Sequence, residues 1–198
     1  QDNGVNLGNN WTLTAWVKNL LPPRSNFRST LYRGQGLQAG RDYDRYLVIR
    51  GSDRTLCFFD GDDGNGDNRY RSIGYEVDPL DFSGWHHFAV LASGSRTNFY
   101  INGKFVGDAD RREQSDVMYI GNSSSNELFA EYLDDIRIYG VTLDFMEIAN
   151  IYGEGFGDQF PSVLVTENSA KDSDPRMVQA LVGKDGSNLA VSGVDLSD

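Results

Sequence analysis

The amino-acid sequence predicts an all-β protein of the sandwich or barrel class. Short runs that alternate apolar and polar residues, separated by Gly, Asn and Asp, fill the first 150 residues, and helical periodicity is nearly absent. Hydrophobic residues make up 39% of the 198 residues and charged residues 24%, which is typical of a folded chain. This length allows one well-cored domain with a further segment, or two small domains.

The first predicted strand is WTLTAWVK at 11–18. Its odd-numbered residues, from Trp11 to Val17, are apolar and share one face, whereas Thr12, Thr14 and Lys18 share the other. The Pro22-Pro23 pair ends it. The same alternation predicts further strands at about 29–33, 45–50, 54–59, 69–77, 85–92, 97–102, 104–107, 117–121 and 129–139.

Two local sequence patterns predict a hairpin and a helix in the later part of these 150 residues. Asn102-Gly103 lies between two alternating runs and tolerates the positive φ angles of a two-residue type I′ hairpin. Asp144 with Glu147 three residues later forms a capping-box pattern, and Gly153 suits a helix C-cap. We therefore predict a hairpin at 99–106 and one short helix at about 145–152.

A glycine-rich joint at about 154–160 predicts a domain boundary, with one domain at 1–157 and a small β-rich segment at 158–198. This segment offers three candidate strands, at about 162–166, 176–182 and 189–195. Its roughly 40 residues are near the lower limit for independent folding.

Four stretches in the first domain resemble the laminin G-like jellyroll domains of the concanavalin A-like lectin/glucanase superfamily. They are WTLTAWVK at 11–18, WHHFAVLASGSRTNFYINGKFVG at 85–107, MYIGN at 118–122 and LDDIRIYGVTLDFMEIANIYG at 133–153. The resemblance implies a two-sheet antiparallel jellyroll sandwich that takes ligands at its concave face or loop rim. The superfamily includes lectins, glycan-processing enzymes and structural domains, so function has to be argued from a site.

The C-terminal segment carries a second, partial resemblance. PSVLVTENSA at 161–170 and VSGVDLSD at 191–198 resemble the front half of an immunoglobulin-like repeat of large bacterial surface proteins. This resemblance implies that the first domain is one module of a larger chain.

Charge and composition exclude several classes of partner. A formal net charge of −11 opposes binding to nucleic acid and to anionic membranes. No apolar stretch reaches the roughly 18–20 residues of a membrane span, and no signal peptide opens the chain. Cys57 is the single cysteine, so no intramolecular disulfide forms, and its apolar neighbours indicate a small buried hydrophobe.

The sequence predicts no catalytic residues. Glu127 and Glu131 are the nearest approach to a hydrolytic carboxylate pair, but four residues along a strand separate them by about 13 Å. This is wider than glycoside hydrolysis uses. His86 and His87 are adjacent on a predicted strand and point to opposite faces, which favours structural roles.

The acidic stretch FFDGDDGNGDNRY at 58–70 is a candidate calcium loop. Calcium requires six to eight oxygen ligands, which Asp60, Asp62, Asp63 and Asp67 help to supply. An EF-hand is excluded, because the twelfth position falls on Arg71, Ile73 or Gly74 instead of Glu. The alternative is a solvated hairpin tip, in which nearby arginines offset the carboxylates.

Asp134 is the first candidate for a calcium ligand. Strict alternation puts it on the same face as Ile136 and Ile138, where a carboxylate needs a cation or hydrogen bonds. The family resemblance implies a calcium ion held by Asp134 together with Asp2 and Asn3. The alternative is that Asp134 accepts hydrogen bonds from backbone amides without a metal.

Carbohydrate recognition usually combines aromatic rings with polar groups, and Tyr43, Tyr46 and Tyr70 with Arg41 and Asp44 are the candidates. The alternative is that the tyrosines complete the core. We expect a non-catalytic, calcium-stabilised module of a secreted or cell-surface protein, monomeric within a larger chain, that binds a glycan or a surface protein. A structural or adhesive spacer is the second hypothesis and a glycan-processing enzyme the third.

Overall fold

The structure is a computed structural model that describes residues 4–21, 28–34, 45–60, 70–112, 116–121, 127–155, 163–167 and 177–181. The chain divides into two compact units, Gln1–Ile148 and Ala149–Asp198. Among the described residues, no helix combines the length and the apolar character needed to cross a membrane.

The first unit contains a five-stranded antiparallel sheet. Its strands are β1 (Thr12–Leu20), β7 (Trp85–Ser93), β8 (Arg96–Ile101), β9 (Lys104–Ala109) and β11 (Ala130–Tyr139), in the order β11-β1-β7-β8-β9. The first and last strands of the unit are therefore neighbours, with Thr12 opposite Tyr139 and Leu20 opposite Ala130.

The second sheet of this unit has six strands. They are β2 (Arg28–Thr30), β3 (Tyr32–Gly34), β4 (Arg45–Arg50), β5 (Thr55–Phe59), β6 (Tyr70–Glu76) and β10 (Val117–Ile120), in the order β10-β3-β4-β5-β6 with β2 also paired to β4. A short 3-10 helix at Pro79–Phe82 precedes β7. The two antiparallel sheets confirm the predicted all-β jellyroll sandwich.

The apolar faces of both sheets form the core. Leu13, Ala15 and Val17 of β1 belong to the same buried cluster as Leu56 and Phe58 of β5. Apolar residues in these alternating positions leave water together, which is the main favourable term in folding. The other face of each sheet points away from this core, and both outer faces carry polar and aromatic side chains.

Both local signals read from the sequence are present. Asn102 and Gly103 have φ angles of 51° and 73° between β8 and β9, as a type I′ hairpin requires. The Asp144 carboxylate accepts hydrogen bonds from the Met146 and Glu147 amides, and Glu147 accepts one from the Asp144 amide. The helix α1 runs from Phe145 to Glu154, so Gly153 lies inside it instead of capping it.

A β-bulge interrupts β11 at Asp135, whose φ angle is 43°. Thr14 lies opposite Arg137, but Trp16 lies opposite Asp134, so β11 contains one residue more than β1 across this interval. Leu133 and Ile138 both pack against the core although they are five residues apart. The bulge therefore reverses which residues of β11 face inward.

In the second unit, β12 (Val163–Glu167) and β13 (Met177–Leu181) form an antiparallel hairpin, with Val163 opposite Leu181. These strands correspond to two of the three predicted there, and the third, at 189–195, lies outside the described residues. The immunoglobulin-like repeat and the boundary at 157/158 remain predictions.

Candidate functional site

The outer face of the six-stranded sheet carries a continuous row of arginine and aromatic side chains. Residues directly opposite each other on neighbouring strands share a face, and such pairing joins Tyr119 to Arg33, Arg33 to Arg45, Arg45 to Phe59, and Phe59 to Tyr70. We call these five residues the arginine–tyrosine row. It crosses β10, β3, β4, β5 and β6, at right angles to the strands.

Stacking contacts connect the members of the row. The Arg33 guanidinium lies 5.4 Å from the Tyr119 ring centroid, and that of Arg45 lies 5.0 Å from the Phe59 ring. Phe59 and Tyr70 meet edge to face with their centroids 4.8 Å apart. Cation–π and aromatic contacts of this kind hold planar groups in fixed orientations.

Arg28 and Arg50 extend the row on the β6 side. The Arg28 guanidinium lies 4.1 Å from the Phe59 ring centroid, and its Nη1 donates to the Tyr70 hydroxyl at 3.1 Å. Arg50 lies 5.6 Å from the Tyr70 ring and is paired with Asp53. Tyr70 is therefore held from both sides while its ring remains half-buried.

Glu127 positions Arg45 and Arg28 through hydrogen bonds. It precedes β11, is only 6% exposed, and accepts hydrogen bonds from Arg45 Nε and Nη2 at 3.1 and 3.2 Å. It also accepts from Arg28 Nε at 3.2 Å and from the Thr30 hydroxyl at 3.3 Å. Its backbone carbonyl accepts from the Thr30 amide, which joins this segment to β2. Two-pronged pairing with a carboxylate fixes the guanidinium plane of Arg45.

A small apolar cluster supports the row from within the same outer face. Val48, Cys57 and Phe59 are buried and form a group separate from the main core, with Tyr70 packed against it. The Cys57 thiol donates to the Val48 carbonyl, and burial raises its pKa to about 12. Cys57 is therefore a packing residue, as the sequence predicted, and not a nucleophile.

The structure places the predicted ligand-binding residues in different environments. Tyr70 lies in the row, as a ligand platform requires. Tyr46 is fully buried, with its ring centroid 5.2 Å from that of Trp11, so its prediction as a ligand contact is wrong and it belongs to the core. Arg41, Tyr43 and Asp44 lie outside the described residues.

Asp60, from the second predicted calcium set, forms ion pairs with two arginines. Its carboxylate is fully buried, and one oxygen lies 2.6 Å from Arg111 Nη1 and 3.7 Å from Arg71 Nη2. A calcium ion at this oxygen would be repelled by both guanidinium groups, so Asp60 is an ion-pair residue instead of a metal ligand. Asp62, Asp63 and Asp67 lie outside the described residues.

Asp134, from the first predicted set, does not face the core. The bulge at Asp135 places it opposite Trp16 on the outer face, where it is exposed and accepts a hydrogen bond from the Asp135 amide at 2.8 Å. The prediction of a buried carboxylate is therefore wrong. Asp2 and Asn3 lie outside the described residues, and the described part of the chain contains no cluster of three acidic, His or Cys side chains arranged for a metal.

The two histidines point in different directions, as predicted. His86 Nδ1 lies 3.0 Å from the Asn102 side-chain amide, and its ring contacts Phe82. His87 is fully buried with its ring centroid 5.5 Å from that of Trp16, and burial lowers its pKa to about 4. His87 is therefore neutral near physiological pH.

The two glutamates considered for hydrolysis occupy different environments. Glu127 is buried among arginines, whereas Glu131 is exposed and accepts a hydrogen bond from the Asn19 side-chain amide at 2.8 Å. The spacing argument treated both as strand residues, but Glu127 lies before the start of β11. Glu127 is therefore bound by two guanidinium groups, whereas Glu131 is bound by an amide.

Comparison with known proteins identifies the family of this sandwich. A family model of the concanavalin A-like lectin/glucanases superfamily, Laminin_G_3, matches residues 1–149. The chain belongs to this superfamily. No match was found among curated proteins.

Solved structures with the same fold include domain 4 of the extracellular arabinanase AbnA of Geobacillus stearothermophilus, in complex with arabinotriose. The match has 17% identity and a TM-score of 0.53, and covers 73% of this chain and 66% of that one. Trypanosoma rangeli sialidase matches with 18% identity and a TM-score of 0.52, over 75% of this chain and 23% of the sialidase. The botulinum neurotoxin serotype G binding domain matches with 14% identity and a TM-score of 0.51, over 82% and 40%.

These similarities are to the fold, because every identity is low. The chain spans less than a quarter of the sialidase length, so the similarity concerns only part of that enzyme. For this laminin G-like domain, the contact surface has to be identified from its own side chains.

Proposed function

We propose that this laminin G-like domain is a non-catalytic glycan-binding module of a secreted or cell-surface protein, and that the arginine–tyrosine row is its contact surface. One observation carries the proposal: the row places a tyrosine at each end with the half-buried Arg33 between them, while the buried Arg45 and Phe59 hold the row together. Four inter-strand spacings separate Tyr119 from Tyr70, which is about 19 Å of sheet surface. This length accommodates several sugar rings of an oligosaccharide that crosses the strands.

The chemistry of the row suits a sugar. Tyr119 is 47% exposed, so its ring is accessible for stacking on the apolar face of a sugar ring. Arginine side chains donate hydrogen bonds to hydroxyl groups, and Arg28, whose side chain is 17% exposed, is oriented by Glu127 before any ligand arrives. Preorganised polar groups lower the entropy lost on binding.

The structural neighbours support a carbohydrate ligand. The arabinanase domain was solved in complex with arabinotriose, and the sialidase in complex with sialic acid. Among the described residues, Glu127 is bound by Arg45 and Arg28 and Glu131 by Asn19, which favours binding without hydrolysis. We therefore assign this domain the role of attaching its parent protein to a glycan.

A glycan array probed with the labelled chain tests the proposal. We expect binding to a defined set of oligosaccharides, and a loss of about tenfold or more in affinity for Tyr119→Ala. The matched control is Phe105→Ala, which removes an aromatic ring that is 54% exposed on β9 of the other sheet. Equal binding by both variants would refute the assignment to the row, and wild-type binding to no glycan would favour a spacer.

We also propose that calcium stabilises the domain through Asp134, with Asp2 and Asn3 as the other ligands. The exposed carboxylate of Asp134 is accessible to a cation, and calcium prefers such oxygen ligands. We expect a chelator to lower the thermal unfolding midpoint of the wild type but not of Asp134→Ala. The exposed Asp81→Ala is the control, and a calcium-independent midpoint would refute the proposal.

A triple variant of Asp62, Asp63 and Asp67 separates the second predicted set from the first. Calcium stabilisation that survives in Asp134→Ala but disappears in the triple variant would locate the ion in the acidic loop.

A further inference from the structure

A second aromatic surface lies on the other sheet of the sandwich. Trp85 of β7 pairs directly with Lys18 of β1, and Lys18 pairs with Tyr132 of β11, so these residues share one face across three adjacent strands. We call them the Trp85–Lys18–Tyr132 row. Leu13, Ala15 and Val17 of β1 face the core, and Lys18 lies on the opposite face.

Both rings of this row are exposed. Trp85 is 40% exposed and Tyr132 is 54% exposed, although each sits in a regular strand whose neighbouring residues are paired. The Lys18 ammonium lies 5.8 Å from the Tyr132 ring centroid. Trp85 and Tyr132, with Lys18 between them, therefore form a candidate contact surface.

The spacing of the rings suits an extended chain of sugar rings. Two inter-strand spacings separate β7 from β11, which is about 10 Å. Rings at this separation can stack on two sugar units of one chain, with Lys18 between them as a hydrogen-bond donor. The exposed carboxylate of Asp134 lies on the same face, opposite Trp16 and two residues along β1 from Lys18.

The negative charge of the protein indicates which class of polysaccharide this row binds. Glu131 and Asp134 flank Tyr132, both are exposed, and the formal net charge is −11. A polyanion such as a uronate polymer would be repelled at long range, whereas a neutral chain pays no such electrostatic penalty. We propose that the Trp85–Lys18–Tyr132 row is a second binding surface and that its ligand is a neutral, extended polysaccharide.

This surface is independent of the arginine–tyrosine row. The two rows lie on the outer faces of different sheets, with the shared core between them, so no residue belongs to both. A domain of this kind can contact two polysaccharide chains on opposite sides. The inference stands if the arginine–tyrosine row binds no ligand.

Affinity gel electrophoresis tests the proposal with the full chain. Native gels contain hydroxyethylcellulose, soluble xylan or galactomannan as neutral polymers, or polygalacturonate as the acidic one. We expect a neutral polymer to retard the wild type, and retardation to weaken about tenfold in the double variant Trp85→Ala, Tyr132→Ala. Trp85→Tyr, which keeps an aromatic ring, should retain most of the retardation.

Two controls assign the result to this row. Phe105→Ala removes an exposed aromatic side chain from the same sheet, and Tyr119→Ala removes one from the arginine–tyrosine row. Circular dichroism verifies that each variant is folded. Retardation of the double variant equal to that of Phe105→Ala would overturn the proposal, and so would retardation by polygalacturonate alone or by none of the neutral polymers.

Discussion

The buried carboxylate of Glu127 offers the sharpest test of how the arginine–tyrosine row is held in place. The substitution Glu127→Gln keeps the side-chain length but removes the charge and replaces one acceptor oxygen with a donor. In the wild type, that carboxylate faces Arg45 and Arg28 and the Thr30 hydroxyl. The change therefore weakens the pairing of two guanidinium groups at once.

The burial of Arg45 and Arg28 determines how much unfolding free energy the substitution removes. The Arg45 side chain is 3% exposed and cannot gain water in place of the carboxylate, whereas Arg28 is 17% exposed and can be partly rehydrated. Removing one partner of a buried ion pair typically costs about 3–5 kcal/mol. Because Arg28 recovers some solvation, we expect the lower end, about 3 kcal/mol of unfolding free energy.

Urea denaturation followed by tryptophan fluorescence measures the unfolding free energy of the unit that contains Glu127. The three tryptophans, Trp11, Trp16 and Trp85, all lie in the unit Gln1–Ile148, so the signal reports its unfolding alone. The expected result is a lower midpoint with an unchanged slope. In a thermal melt, the same change corresponds to a decrease of about 6–12 °C for a domain of this size.

A loss below about 1 kcal/mol in Glu127→Gln would refute the reasoning, because this is the range of an exposed ion pair. The double variant Glu127→Leu, Arg45→Leu is the informative control. If desolvated charge is the cause, removing both partners should restore part of the stability lost in Glu127→Leu. A double variant less stable than the single variant would point to packing instead.

Three further predictions concern other parts of the first unit. Arg111→Met should lower the unfolding free energy by about 1–3 kcal/mol, because it removes the 2.6 Å ion pair with the buried Asp60 carboxylate, and urea denaturation measures this. His87 has a lower pKa in the folded state than in the unfolded one, so its contribution is complete above about pH 6.5 and is lost as the pH falls towards about 4. The stability of His87→Phe should therefore decrease less over this interval, by up to about 3 kcal/mol, and equal pH profiles would contradict the assignment. Gly103→Ala should cost about 1 kcal/mol or more because its φ angle is 73°, and Gly140→Ala, whose added Cβ meets no atom, should cost less in the same assay.

Much of the fold could be predicted from the sequence, because alternation and turn residues act locally. The strand at 45–50 and the Asn102-Gly103 hairpin were predicted at their observed positions. The predicted strand at 29–33 is instead two strands, β2 and β3, separated at Leu31. A single residue between two strands leaves almost no signal in the alternation.

The candidate site was less accessible to sequence reasoning. Only Tyr70 of the arginine–tyrosine row was predicted, because the row depends on the register of four successive strand pairs. Three of these pairs contain irregularities, between Val117 and Tyr119, between Arg45 and Val48, and between Thr55 and Cys57. Glu127 was considered only as a strand residue, and its charge partners are 82 and 99 residues away in the chain.

The bulge at Asp135 also affects how substitutions along β11 are interpreted. A mutational scan of this strand should show two out-of-phase patterns of tolerance instead of one, with Leu133 and Ile138 both sensitive and Asp134 and Ile136 both tolerant. An aligned relative that lacks the extra residue would have its inward and outward positions exchanged on one side of the bulge. Residue roles transferred by alignment along this strand therefore need a one-residue correction beyond Asp135.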